Sequence, residues 1–194
     1  MKIGFCIVFL IIVSVAACGG GKKSSESFFA VDETKEATDL VDAANKKLKL
    51  IKKRFKDNEP RYEQLKSALK AKDETKVREL SNQFVDQITA GTDEGNEAIE
   101  TLRKAKNMNI NADFRQYLDM KIVSLEKYVE AFEHRRKAAQ ILGEGYDPKD
   151  VMKRDRVLAE FKQEEEKFNE IIEEGRQSSQ DANDIAKESL KKKN

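Results

Sequence analysis

Apolar residues recur at alternating intervals of four and three along most of this 194-residue chain. The clearest run consists of Ala37, Val41, Ala44, Leu48, Ile51 and Phe55. Side chains with this spacing fall on one face of an α-helix and form a continuous apolar stripe. A single helix cannot bury such a stripe, so several helices must pack against one another. The spacing therefore predicts an all-α fold.

Composition supports long helices, because 38% of the residues are charged and the chain has only two prolines and no tryptophan. We predict a first helix from Phe29 to Asp57 and a short inserted helix from Pro60 to Lys72. Three further helices follow Asp73, the turn at 107–111, and Asp147. Asp73 and Asp147 are predicted N-caps, and both prolines are placed in the first turn of a helix. Short connections between long helices predict an antiparallel up-down bundle of four long helices with the short inserted helix.

Two glycines, Gly91 and Gly95, interrupt the apolar stripe of the third predicted helix. Each costs roughly 1 kcal/mol relative to alanine inside a helix, so both need a structural reason. A close helix crossing at a small-residue notch and a local kink both fit the pattern. The sequence leaves these two alternatives open.

The last residues, 176–194, are polar and carry only a thin apolar stripe. We predict that they form a helical extension beyond a bundle that spans 29–175. The extension either protrudes into solvent or packs on a partner.

The residue types disfavour several kinds of chemistry. The one histidine, His134, lies in a charged stretch off the apolar stripe and is predicted to be a solvated surface residue. Glu165 is placed near the stripe between two phenylalanines. We find no metal-ligand pattern, no catalytic set and no phosphate-binding loop, so we predict no metal, no cofactor and no enzymatic activity. The lysines in the second half of the first helix are interpreted as a solvated face that suits the helix dipole, with a binding patch as the alternative.

The first residues form a separate segment. Lys2 precedes an apolar run from Ile3 to Val15, which is too short to span a membrane and is typical of a secretory signal. The run ends in Val15-Ala16-Ala17-Cys18, which resembles the lipobox of bacterial lipoproteins. An ordinary signal peptide cleaved after Ala16 or Ala17 is the alternative.

The resemblance implies cleavage between Ala17 and Cys18 and attachment of diacylglycerol, and often a further palmitate-type chain, to Cys18. It divides the chain into a signal peptide at 1–17, a lipidated cysteine and tether at 18–28, and the helical bundle. It also implies a location in the cell envelope. In a cell with one membrane, this is the outer face of the cytoplasmic membrane. In a cell with two membranes, it is the outer membrane, because Gly19 stands where an aspartate would retain the protein in the inner membrane.

Removal of residues 1–17 takes away one lysine and no acid, which leaves 36 basic and 36 acidic residues. This balance disfavours nucleic acid as a partner and a polybasic membrane-surface role. Cys6 leaves with the signal and Cys18 carries lipid, so no thiol remains for disulfide or zinc chemistry.

Two functions from different classes fit these observations. The first is a lipid-anchored interaction or structural module that contacts an unidentified envelope or surface protein, with self-association as a further expectation. The alternative is a periplasmic holdase or a bundle that binds a small apolar ligand, in which Gly91 and Gly95 would open a gap near Phe84 and Phe132.

Overall fold

The computed structural model describes residues 32–192, apart from the side chains at 52, 55, 189, 190 and 192. This part of the chain is all α-helical, as predicted. It contains four helices: α1 (Thr34–Ala71), α2 (Glu74–Lys106), α3 (Ala112–Gly145) and α4 (Val151–Lys192). Residues 32–194 form one compact unit.

Each helix runs antiparallel to the next one and packs against it. Among the described residues, α1 packs against α2, α2 against α3, and α3 against α4, whereas the backbones of α1 and α4 do not approach each other closely. The two middle helices therefore each bury two faces, while α1 and α4 lie at the edges and each leave a broad face to solvent.

The apolar core consists of two clusters at opposite ends of the bundle. The first joins the beginning of α1, the end of α2 and the beginning of α3, around Val41, Leu102 and Leu118. The second joins the end of α1, the beginning of α2, the end of α3 and the beginning of α4, around Leu65 and Leu142. Only the second cluster includes all four helices.

The connection between α1 and α2 is a tight reversal at Lys72 and Asp73. Lys72 adopts the left-handed conformation, with φ 58°. Its N–H donates to the Leu69 carbonyl at 3.2 Å, and the Asp73 N–H donates to the Ala68 carbonyl at 3.0 Å. This pair of bonds is the Schellman arrangement that closes a helix C-terminus. Asp73 then caps α2 by accepting from the Lys76 N–H at 3.0 Å, so the predicted cap is confirmed.

Pro60 does not begin a helix. It lies inside α1, and the short helix predicted at 60–72 is the last third of that continuous helix. Proline removes the N–H that would bond the Lys56 carbonyl. Lys56 and Pro60 are both exposed, so water can satisfy that carbonyl, and the packing of α1 on α2 on either side of the proline holds the helix together.

Pro148, in contrast, lies outside any helix, in the turn before α4, so it does not stand in the first turn of a helix as predicted. Asp147 accepts hydrogen bonds within this turn, from the N–H groups of Lys149 and Asp150. The residue that caps α4 is Asp150, whose side chain accepts from the Lys153 N–H at 3.0 Å. The prediction that Asp147 caps the helix was wrong by three residues. The Asp147 carboxylate accepts within the preceding turn, and Asp150 accepts from the first turn of the helix.

The segment at 176–192 is helical and forms the last part of α4. Ala182 within it is fully buried. Of the two alternatives that the sequence left open for this segment, protrusion into solvent does not hold for the face that carries Ala182. No helix among residues 32–192 is both long enough and apolar enough to cross a membrane.

Candidate functional site

The most distinctive polar site lies between α3 and α4, where a carboxylate is buried among cations. Glu164 is only 4% exposed. Its Oε2 accepts from His134 Nδ1 at 2.6 Å, and its Oε1 accepts from the ammonium groups of Lys137 at 3.0 Å and Lys167 at 3.3 Å. The four side chains lie near the middle of the two helices. We call these residues the Glu164 cluster.

Burial of Glu164 opposes its ionisation, but the hydrogen bonds from His134, Lys137 and Lys167 outweigh it. Together they lower the pKa of Glu164 from 4.5 to about 2. The carboxylate is therefore ionised at neutral pH and accepts from all three cationic or polar donors. Because an ionised carboxylate only accepts, the Nδ1 of His134 carries the hydrogen in this bond.

A second ion pair lies beside the Glu164 cluster and reaches across to α1. Arg135 donates two hydrogen bonds to Glu165, at 3.2 and 3.0 Å, and its guanidinium stacks 3.6 Å from the centre of the Phe168 ring. The Tyr62 hydroxyl of α1 donates to Glu165 Oε2 at 3.1 Å. Burial and the nearby Glu165 charge raise the pKa of Tyr62, so its hydroxyl remains a donor at neutral pH. This contact links the two edge helices through side chains.

Small residues on α3 allow the two helices to come close enough for these contacts. Ser124, Ala131 and Ala138 are spaced by seven and are each at most 2% exposed. The Ser124 hydroxyl donates to the Gly175 carbonyl of α4 at 2.7 Å. One further interval of seven reaches Gly145, where an added Cβ would lie 2.8 Å from Val157 Cγ2. α3 thus presents a small-residue stripe to α4 along most of its length.

The prediction that His134 is a solvated surface residue was wrong. Its side chain is 26% exposed and bonds the buried Glu164. The apolar spacing of α3 shows only one stripe, through Leu118, Ile122 and Leu125. A helix in the middle of the bundle has two buried faces, and the second face carries the small residues and His134. The heptad spacing of Ser124, Ala131 and Ala138 is the signal that could have located it.

Glu165 lies beside the core as expected, but its neighbour Glu164 is the more deeply buried residue. Successive helical residues differ by 100° in direction, so two neighbouring glutamates cannot point the same way. Glu164 points into the α3–α4 interface, and Glu165 points toward Arg135 and Tyr62.

Gly95 lies at a close crossing of α2 and α3. A Cβ added at Gly95 would lie 2.8 Å from Val129 Cγ2, which is closer than real contacts allow. Gly91 is also buried, one turn earlier in the same uninterrupted helix. At Gly95 the space left by the missing side chain is filled by Val129, so the gap that the ligand-binding alternative requires is not open there.

The arrangement of His134 and Glu164 matches two members of a catalytic triad, an imidazole oriented by a carboxylate. Among the described residues, no hydroxyl group is hydrogen-bonded to the other ring nitrogen of His134. The described residues also contain no group of three or more His, Cys, Asp or Glu side chains that could hold a metal ion. His134 and Lys137 of α3 both bond to Glu164 of α4, so the cluster holds the two helices in one alignment.

Ala17 and Cys18, the predicted cleavage and lipidation residues, lie outside the described residues. No protein-family model, curated protein or solved structure matches this chain.

Proposed function

We propose that the protein is a membrane-anchored extracytoplasmic lipoprotein whose helical unit is a non-enzymatic interaction or structural module of the cell envelope. The observation that carries this proposal is Val15-Ala16-Ala17-Cys18 at the end of a short apolar run. The compact helical unit begins at Asp32, fourteen residues after Cys18. This order, with an anchor first and a folded unit after it, is consistent with a protein held at a membrane surface.

In this proposal, lipid on Cys18 supplies the membrane anchor. One acyl chain binds a bilayer only marginally, whereas two or three chains hold a protein for practical purposes. The helical unit is then free to present its exposed faces to another envelope protein. The filled crossing at Gly95 favours this module over the holdase or ligand-binding alternative.

Metabolic labelling with a palmitate analogue in a bacterial host tests the anchor. We expect the wild-type chain to incorporate the label and to partition into the detergent phase, and Cys18→Ser to lose both properties. Cys6→Ser is the matched control, because it removes the other cysteine of the leader and should leave labelling intact. An unlabelled wild-type chain, or a labelled Cys18→Ser variant, would refute lipidation at Cys18.

Protease treatment of intact and permeabilised cells then determines the orientation of the anchored unit. Digestion on intact cells would direct the search to surface partners, and protection until permeabilisation would direct it to periplasmic ones. Chemical crosslinking in the same cells tests the interaction role. A protein that forms no crosslinks to any envelope component at native abundance would contradict that role.

A further inference from the structure

The outward face of α1 carries a row of four lysines, which we call the lysine row: Lys46, Lys49, Lys53 and Lys56. Intervals of three and four residues place these side chains on one side of the helix. That side is opposite the apolar stripe of Val41, Ala44 and Leu48, and all four lysines are exposed. From Lys46 to Lys56 the row rises by ten residue steps, or about 15 Å of helix. Because α1 packs closely only against α2 among the described helices, no other helix covers the row.

The charges of the lysine row are not neutralised within the described part of the chain. Lys47 and Arg54, which lie nearer to α2, pair with Glu97 and Glu94 of that helix. By contrast, none of the four lysines in the row forms an ion pair with a described residue. Asp42 and Asp57 flank the row, so the stretch between them remains a local concentration of positive charge.

Other outward faces of the bundle mix the two signs of charge. On α4, for example, Lys162 pairs with Glu166 and Lys187 pairs with Asp184. The overall balance of acidic and basic residues therefore does not describe the surface of α1. Screening at physiological salt limits each charge to about 8 Å, so a binding surface responds to the local row rather than to the net charge.

We propose that the lysine row is a contact surface for the anionic phospholipid headgroups of the membrane that carries the Cys18 anchor. This inference rests on the proposed function for the place of the protein, but its chemistry is independent of lipidation. Lysine is a compact point charge suited to headgroup phosphates, and the row is straight, exposed and on the first helix after the tether. The fourteen residues from Cys18 to Asp32 can span at most about 50 Å, which is enough for α1 to lie along the bilayer.

Vesicle sedimentation tests the proposal with residues 32–194, the compact unit that has its own core. The vesicles contain either phosphatidylcholine alone or phosphatidylcholine with about one third phosphatidylglycerol. We expect binding only to the anionic vesicles and a steep loss of binding at high salt. Each lysine near an anionic surface strengthens binding about fivefold, so Lys46→Gln, Lys49→Gln, Lys53→Gln and Lys56→Gln combined should weaken it by several hundredfold.

The matched control changes four exposed lysines elsewhere, by combining Lys104→Gln, Lys149→Gln, Lys162→Gln and Lys187→Gln. It alters the net charge equally and should retain binding within a few-fold. Thermal unfolding checks that both variants remain folded.

Three results would overturn the proposal. These are equal losses of binding in the two variants, no binding of the wild-type unit to anionic vesicles, and tighter binding to a nucleic acid oligomer than to the vesicles. Because this unit lacks Cys18, none of these results affects the palmitate test, and failure of that test leaves vesicle binding unchanged.

Discussion

Replacement of Glu164 by glutamine should destabilise the protein strongly at neutral pH. Glutamine has the shape of glutamic acid but no charge. It therefore removes the negative charge that His134, Lys137 and Lys167 surround, and it replaces one of the two acceptor oxygens with an NH2 donor. The fall in the pKa of Glu164 from 4.5 to about 2 corresponds to about 3 kcal/mol, since each tenfold change in an equilibrium constant is worth about 1.4 kcal/mol. Both lysines remain partly exposed, so we expect a loss of about 2–3 kcal/mol in the free energy of unfolding.

The pH dependence of this loss has a definite sign. The pKa of Glu164 is lower in the folded state than in the unfolded chain, so ionised Glu164 stabilises the fold above pH 4.5, and this stability is lost as the pH falls toward 2. The difference between wild type and Glu164→Gln should therefore be largest at neutral pH and should vanish near pH 2. Taking the difference between the two proteins cancels the titration of groups that do not contact Glu164.

Urea denaturation followed by circular dichroism measures the difference at several pH values. At neutral pH we also expect the midpoint of thermal unfolding to fall by about 5–10 °C. Glu166→Gln is the matched control, because its pair with Lys162 is about two-thirds exposed on both sides and should contribute less than about 0.5 kcal/mol. A Glu164→Gln effect as small as that of the control, or one of equal size at pH 7 and pH 2, would refute the reasoning.

Four further substitutions test the backbone and the core through urea denaturation. Lys72→Gly should stabilise the protein by about 1 kcal/mol, because glycine adopts the left-handed conformation without a Cβ clash. Pro60→Ala should stabilise it by up to about 3 kcal/mol by restoring a helix hydrogen bond. An unchanged urea midpoint would contradict this prediction, because it would mean that the proline does not destabilise the helix. Ser81→Ala should raise the free energy of unfolding by about 1 kcal/mol, since the buried Ser81 hydroxyl has no hydrogen-bond partner among the described residues. A loss of stability would contradict this prediction. Gly95→Ala should lower the free energy of unfolding by about 1–2 kcal/mol despite the better helix propensity of alanine, because its Cβ would meet Val129. Combining it with Val129→Ala should recover most of this loss. A stabilised single variant would contradict the close crossing.

The local signals in the sequence were sufficient for the fold class and for the boundaries of the middle helices. The spacing of Leu102, Leu118 and Ile122 identifies stripes that are buried in the structure. Asp73 is recognisable as a cap, because an aspartate before a helix accepts a backbone hydrogen bond wherever the helix lies. Such effects depend on neighbours within one turn of the chain, and they can therefore be read in one dimension.

Proline and glycine were less informative, because their effects depend on what packs beside them. Pro60 normally marks a boundary, yet α1 continues through it because both of its halves are held by α2. Gly95 is equally compatible with a kink and with a crossing in the sequence. The approach of Val129 from another helix decides the matter.

The sequence by itself determined that this chain forms amphipathic helices that must pack together, and it contains the leader from which the anchor is proposed. The tertiary structure decided which residues of α3 face α4, and thereby brought His134 to Glu164 across 30 residues of chain. It also decided that the lysine row lies uncovered at the edge of the bundle. The physical reason is that helix periodicity depends on each helix alone, whereas ion pairing, burial and exposure depend on which helices become neighbours.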